Sequence, residues 1–416
     1  MLLVVAATCA YATDTRLLTM GENYTVMVDD YNVWMFPSRV NMYPNIGVGE
    51  FSRYMDGDGF YQFGVNWKFG ETKPWVLGTY FTNDYTAYPS DYLGNSFGLY
   101  GVVGDYMYTG LSLNNNRRID LLYGRKLGTQ NFGFGFSYIN SGEKQIAANY
   151  KNDTKFSHYA FTFGLTPDAG NWDLAASLGI GTWTNKGTLD PGTATAVQVD
   201  LTKPDGYLDF MLTGRMFAKY NQTITFVPHA SLWLGKHGQK SYYDDNGDTA
   251  TTKIKSTMFA ADLGCGMHYA PVTNVLAVLD FGLQFEKRKG EYTYRGEAGD
   301  TTWTVKYRDT YLPYWKLGME GDVFSWLDVR LGAVSNWHNY KDENVNANYP
   351  QWDVQGSDVH TNTYLGLGFN WNRLHIDTYT DPELFLKGFD FISGSDGGEG
   401  GGVWMNWQMS VLYEMF

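Results

Sequence analysis

The stretch Val403–Phe416 reads VWMNWQMSVLYEMF. Every second residue is apolar: Val403, Met405, Trp407, Met409, Val411, Tyr413 and Met415. Between them stand Asn406, Gln408, Ser410 and Glu414. A period of two marks a strand with two unlike faces. The pattern recurs. In FYQFGVNWKF, Tyr61, Phe63, Val65, Trp67 and Phe69 oppose Gln62, Gly64, Asn66 and Lys68. In NFGFGFSY, Phe132, Phe134, Phe136 and Tyr138 oppose Gly133, Gly135 and Ser137. In NVLAVLDFGLQFE, the series Val275 to Phe285 opposes Asp280, Gly282, Gln284 and Glu286. HYAFTFGL, NWDLAASLGI and WLDVRLGAV repeat the arrangement.

Such segments predict about sixteen strands, or about fourteen if the weaker ones are discounted. Composition agrees with a β protein rich in tight turns: 48 Gly, 32 Tyr and 17% aromatic residues in 416. No apolar run reaches the length of a transmembrane helix, roughly 18 residues. A net charge of −13 argues against nucleic acid as a partner. Connections alternate between short, such as KLGTQN, YNQT and WNR, and long, at 184–206, 237–255, 289–302, 341–357 and 385–402. No linker or repeat of about 40 residues marks a second domain or a propeller.

A soluble sandwich also alternates, but its inner faces are dry. Here the face opposite the oily one carries Asp120, Asp209, Arg215, Asp262, Asp280, Lys316 and Arg330 in mid-strand. Each would cost several kcal/mol in a dry core unless paired. In a wide, water-containing barrel they cost little. The oily face therefore meets lipid, and the fold expected is an all-β transmembrane antiparallel barrel of about 14–16 strands. Its expected place is the bacterial outer membrane, with membrane lipids and the assembly machinery as partners. Phe416 reads as a C-terminal assembly signal together with Tyr413, although Phe416 falls on the opposite parity from the oily series. A rim aromatic at the interface is the plainer alternative.

The opening MLLVVAATCAYA reads as a signal peptide over residues 1–12, with the apolar stretch Leu2–Ala7, a small-x-small site Ala10-Tyr11-Ala12 and no basic leader. Cleavage there would leave Cys265 as the one cysteine, with no disulfide and no cysteine-based metal site. Residues 13–45 are too irregular for a lipid-facing strand and too apolar for a solvated tail. They are expected to fold inside the barrel, 46–416, as a plug.

Within 13–45, Met20-Gly21, then Asp29-Asp30, then Phe36-Pro37-Ser38 follow one another. In these residues the chain resembles the outer-membrane long-chain fatty acid transporters and related secretion-associated barrels. The family carries a Met-Gly step, an acidic pair and Asn-Pro-Ala before its first strand. Glu22, Phe36 and Ser38 depart from that pattern, and the family is typically fourteen-stranded. The resemblance implies passive uptake of hydrophobic or amphipathic small molecules. The alternative is a structural or secretion-associated barrel without such flux. On the first reading the ligand-binding candidates are Met20, Met27, Trp34 and Phe36, with Arg215 or Arg330 near a ligand head group. Ladders within the lumen wall are the plainer role for both arginines.

Other sites are weaker. Asp244, Asn246 and Asp248 are spaced like the start of a calcium loop, but Thr249 stands where Gly is expected and Lys255 where the twelfth-position Glu is expected. An ordinary polar turn is the alternative. Asp56 and Asp58 read as a hairpin turn. His158, His229, His268, His338 and His360 are scattered over different strands. No nucleophile signature appears. Neither an enzyme nor a cofactor is expected.

Overall fold

The computed structural model describes residues 13–53, 59–84, 116–147, 150–189, 197–245, 248–296, 299–346, 352–380 and 407–415. The strands are β1 (Ile46–Arg53), β2 (Gly59–Phe69), β3 (Trp75–Asp84), β4 (Asn116–Leu127), β5 (Gln130–Ala147), β6 (Tyr150–Pro167), β7 (Trp172–Leu189) and β8 (Val197–Met216). They continue with the two-residue β9 (Ala218–Lys219), then β10 (Ile224–Asp245), β11 (Asp248–Val272), β12 (Val275–Gly296), β13 (Gly299–Phe324) and β14 (Leu327–Asn346). The last are β15 (Trp352–Trp371), β16 (Leu374–Thr380) and β17 (Trp407–Glu414). β8 and β9 both pair with β10 and form one stave, so the 17 strands make sixteen staves. Every stave is antiparallel to the next. β17 pairs with β1 from Ile46↔Glu414 to Arg53↔Trp407, which closes the ring and leaves no free edge.

The two faces separate as their parity requires. On β12, Leu279, Phe281 and Leu283 are exposed, while Asp280, Gln284 and Glu286 are buried. On β17, Trp407 and Tyr413 are exposed and Gln408, Ser410 and Leu412 are buried. The mid-strand charges point inward: Asp120, Arg215, Asp280 and Arg330 are all at most 3% exposed. The rim that carries the short turns is lined with stacked rings. Phe69 lies on Trp75 at 4.3 Å, Phe324 on Trp326 at 5.6 Å and Phe369 on Trp371 at 5.6 Å. Such girdles sit at membrane interfaces, and short turns mark the periplasmic rim of such barrels.

Four of the five long connections expected from sequence are mostly strand. β7 runs on to Leu189 and β8 starts at Val197; β10 and β11 approach one another as far as Asp245↔Asp248, and β12 and β13 as far as Gly296↔Gly299. β14 likewise runs to Asn346 and β15 starts at Trp352. Their Asp, Asn and Gly content resembles loop. The intervening Thr, Tyr and Val pair well across strands, and the ladder wins. Residues 385–402 lie outside the described residues.

Residues 13–45 lie against the inner wall as three short elements: α1 (Asp14–Thr19) and 3-10 turns at Asp30–Val33 and Pro37–Met42. α1 meets β14 to β17, and the Pro37–Met42 turn meets β3 to β6. The segment thus reaches wall strands from widely separated parts of the ring.

The lipid-facing assignment of β12 is directly testable. Phe281→Arg should cost about 2–4 kcal/mol if the position lies near the bilayer midplane. The folded fraction in heat-modifiable gel mobility should fall accordingly. Gln284→Arg, inward and across from Asp262, should fold like the parent. Equal yields for the two variants would refute the parity.

Candidate functional site

The site is the surface where the N-terminal segment meets the wall. Local chemistry shapes the segment first. Gly21 has φ +76° and Glu22 φ +57°, so the chain turns sharply after α1. The Asp29 side chain accepts from the Tyr31 amide at 3.1 Å, and the Asn32 side chain accepts from the Asp29 amide at 3.0 Å, a reciprocal cap on the first 3-10 turn. Pro37 opens the second turn, where its missing N–H costs nothing.

The wall is cut to receive these turns. A Cβ on Gly332 would lie 2.9 Å from the Gly21 Cα, and one on Gly318 would lie 2.9 Å from the Met20 carbonyl carbon. These two glycines face one another across β13 and β14. Gly133 meets the Pro37–Ser38 backbone in the same way. Gly133, Gly318 and Gly332 are therefore notches for backbone.

Two apolar clusters fill the contact. Trp34, Phe36, Met35 and Val40 pack with Tyr80, Leu122 and Ile139 of the wall. Leu17, Met20, Val26 and Met27 pack with Val227 and Val278. The Trp34 ring meets Tyr80 edge-on at 4.4 Å, and the Arg118 guanidinium lies 5.1 Å from its centroid.

Buried charges anchor the segment at two places. Asp173 on β7 takes Arg39 of the segment at 2.8 Å and Arg215 of β8 at 2.7 Å. Arg215 also donates to the Thr25 and Met27 carbonyls at 2.7 and 2.6 Å and to Asn32 at 2.8 Å, and it lies 4.6 Å from the Phe36 centroid. At the second place, Arg16 grips Glu320 with two bonds of 2.7 Å. Glu320 also takes Arg330, which pairs with Asp377, and Thr13 donates to Asp377 at 2.9 Å. Arg16 reaches Asp29 at 3.4 Å. Burial pushes Asp29 up to about 7, opposed by Arg16, so the seated segment loses stability as pH rises from the ordinary carboxyl range to about 7, and no more above it.

The candidate residues therefore meet one another only in part. Met27, Phe36 and Arg215 are in contact; Trp34 stands beside Arg118, and Met20 lies in the second apolar cluster. Arg215 and Arg330 are engaged in internal pairs and do not converge. No local sequence motif marks Arg16, Arg39, Asp173 or Glu320, although each belongs to this contact. Tyr413 is 48% exposed on the outer face. Phe416, residues 1–12, Asp56 and Asp58 lie outside the described residues. Asp244 and Asp248 stand on the paired strands β10 and β11, and Asn246 between them lies outside.

No family model matches the chain, and neither does any curated protein. Its resemblances are to solved outer-membrane proteins. The toluene transporter TodX of Pseudomonas putida matches over 98% of both chains, with 9% identity and a TM-score of 0.40. The ferric yersiniabactin uptake receptor FyuA of Yersinia pestis matches over 90% of this chain and 81% of its own, with 9% identity and a TM-score of 0.39. CdiB of Acinetobacter baumannii matches over 88% of this chain and 59% of its own, with 9% identity and a TM-score of 0.42. The protein is a β-barrel of the bacterial outer membrane. That statement rests on its own closed ring, exposed apolar belt and aromatic rim.

Proposed function

We propose that the barrel admits hydrophobic or amphipathic small molecules by passive uptake, with the N-terminal segment as the plug that closes it at rest. The observation that carries this reading is the Met- and aromatic-rich contact between the segment and the wall: Met20, Met27, Met35, Trp34 and Phe36 are all at most 8% exposed. Flexible thioethers and flat rings accommodate varied apolar shapes. A solute would take over part of this contact as the segment shifts. No catalytic step is involved, and the partners are membrane lipids, the solute and the assembly machinery.

The anchoring favours a second reading. Ion pairs to Asp173 and to Glu320 hold the segment on separate strands, as suits a structural or secretion-associated barrel that stays shut.

A titration separates the two. Purified protein is titrated with fatty acids and alkyl detergents of increasing length while Trp fluorescence is followed. The uptake reading expects affinity to rise by up to about 0.8 kcal/mol per added methylene. Trp34→Ala and Phe36→Ala should both weaken it. Absence of saturable binding, or binding indifferent to chain length and to both substitutions, would transfer the assignment to the second reading.

A further inference from the structure

We infer that His338, Asp358 and His360 form a site for a divalent transition-metal ion of the zinc class on the lumen wall, away from the seated segment. The inference is independent of the uptake reading. In sequence these residues are scattered, and the register of β14 and β15 assembles them. His338 pairs with Asp358, and His360 lies two residues further along β15, across from Asn336. Trp337 and Val359 beside them are 52% and 63% exposed on the lipid face, so the three point inward.

The donor atoms converge. His338 Nδ1 lies 3.2 Å from Asp358 Oδ1, and His360 Nε2 lies 3.3 Å from the same oxygen. All three donors fall within 4.8 Å of one another. A tetrahedral zinc ion with bonds of 2.0–2.1 Å sets its ligand atoms roughly 3.3 Å apart. Two of the three separations already have this value. The His360 side chain is 63% exposed and can swing to close the third.

His338 is also held as a ligand is held. Its Nε2 lies 3.0 Å from Asp309 Oδ1, and its ring is stacked on Tyr311 at 4.6 Å and 12°. A neutral imidazole carries one N–H. Given to Asp309, it leaves the Nδ1 lone pair facing a carboxylate oxygen. A metal ion between the two atoms would satisfy both. A carboxylate behind a ligating imidazole fixes its tautomer and raises its basicity in this way. Two imidazoles and a carboxylate suit zinc, and they suit copper more tightly.

The test uses the full chain, without a polyhistidine tag, folded in detergent. Zn²⁺ is titrated calorimetrically, and Cu²⁺ is bound for electron paramagnetic resonance. One equivalent should bind, with nitrogen hyperfine structure in the Cu²⁺ spectrum. His360→Gln, at an exposed position, and His338→Gln should each weaken Zn²⁺ by tenfold or more. Asp309→Asn, which removes a positioning residue, should weaken it by about 10- to 100-fold and leave the stoichiometry at one. His375→Gln, on β16, should change nothing. Heat-modifiable mobility reports folding of each variant. No saturable Zn²⁺ binding up to millimolar concentration, or binding unaffected by His360→Gln, would overturn the site and assign the contacts to ordinary His–Asp pairs.

Discussion

If the segment is the plug proposed above, Gly332→Leu should make the barrel conduct. The glycine sits on β14 where the Met20–Gly21 turn is pressed against the wall. A Cβ there would meet the backbone of Gly21 and lie 2.5 Å from the Thr19 carbonyl oxygen. Overpacking a side chain costs about 1–3 kcal/mol because rotamers adjust. Backbone on both sides has no rotamer to change. The turn must leave, and with it the contact through Met20 and Leu17.

The measurement is single-channel conductance in planar bilayers. Deleting residues 13–38 defines the fully open level, and the parent should stay near the closed one. Gly332→Leu should approach the deletion. Gly47→Ala, where an added Cβ meets nothing within 4 Å, should behave like the parent. If the deletion itself conducts no more than the parent, the segment does not close the lumen. If the deletion conducts and Gly332→Leu stays closed, the notch is not what seats the turn.

These notches show what a linear reading reaches and what it misses. The parity of β12 is visible in the residues themselves, because Leu279, Phe281 and Leu283 differ from Asp280 and Gln284 in type. The role of Gly318 and Gly332 is not visible, since a small residue on an alternating strand also reads as simple strand filler. Only the register that sets them side by side, with a turn from 300 residues earlier on top, gives them their function. The same holds for charge. Asp173 reads as a polar lumen residue, and nothing local shows that Arg39, 134 positions away, will reach it. His338 and His360 need the β14–β15 register in the same way. The strand extensions escape a linear reading for another reason. Their composition is that of loops, and pairing overrides composition once the neighbouring strand is in place.

Asp173→Ala should release the Pro37–Met42 end of the segment while leaving the barrel folded. The carboxylate is fully buried and holds two guanidinium groups, Arg39 at 2.8 Å and Arg215 at 2.7 Å, with Thr166 as a further donor. Removing it leaves two buried cations facing each other with no counter-charge between them. Breaking a buried pair from one side costs about 3–5 kcal/mol, because the partner's desolvation is no longer offset. Arg215, on the wall, keeps the segment's Thr25 and Met27 carbonyls as acceptors, so that stretch stays tethered. Arg39 keeps the Gly170 carbonyl at 3.3 Å, a weaker hold, and the strain falls on the Pro37–Met42 turn. At about 1.4 kcal/mol per tenfold, the unseated fraction of that turn should rise by roughly 10²- to 4 × 10³-fold. The barrel's own ladder does not pass through Asp173's side chain, so heat-modifiable mobility should be unchanged. Limited proteolysis in detergent should then cut within residues 13–45 far faster in Asp173→Ala than in the parent. Arg39→Ala removes one cation and leaves Arg215 paired with Asp173, so its effect should be clearly smaller. If both variants are cut at the parental rate, the ion pairs do not hold the segment, and the apolar clusters around Trp34 and Met20 alone seat it.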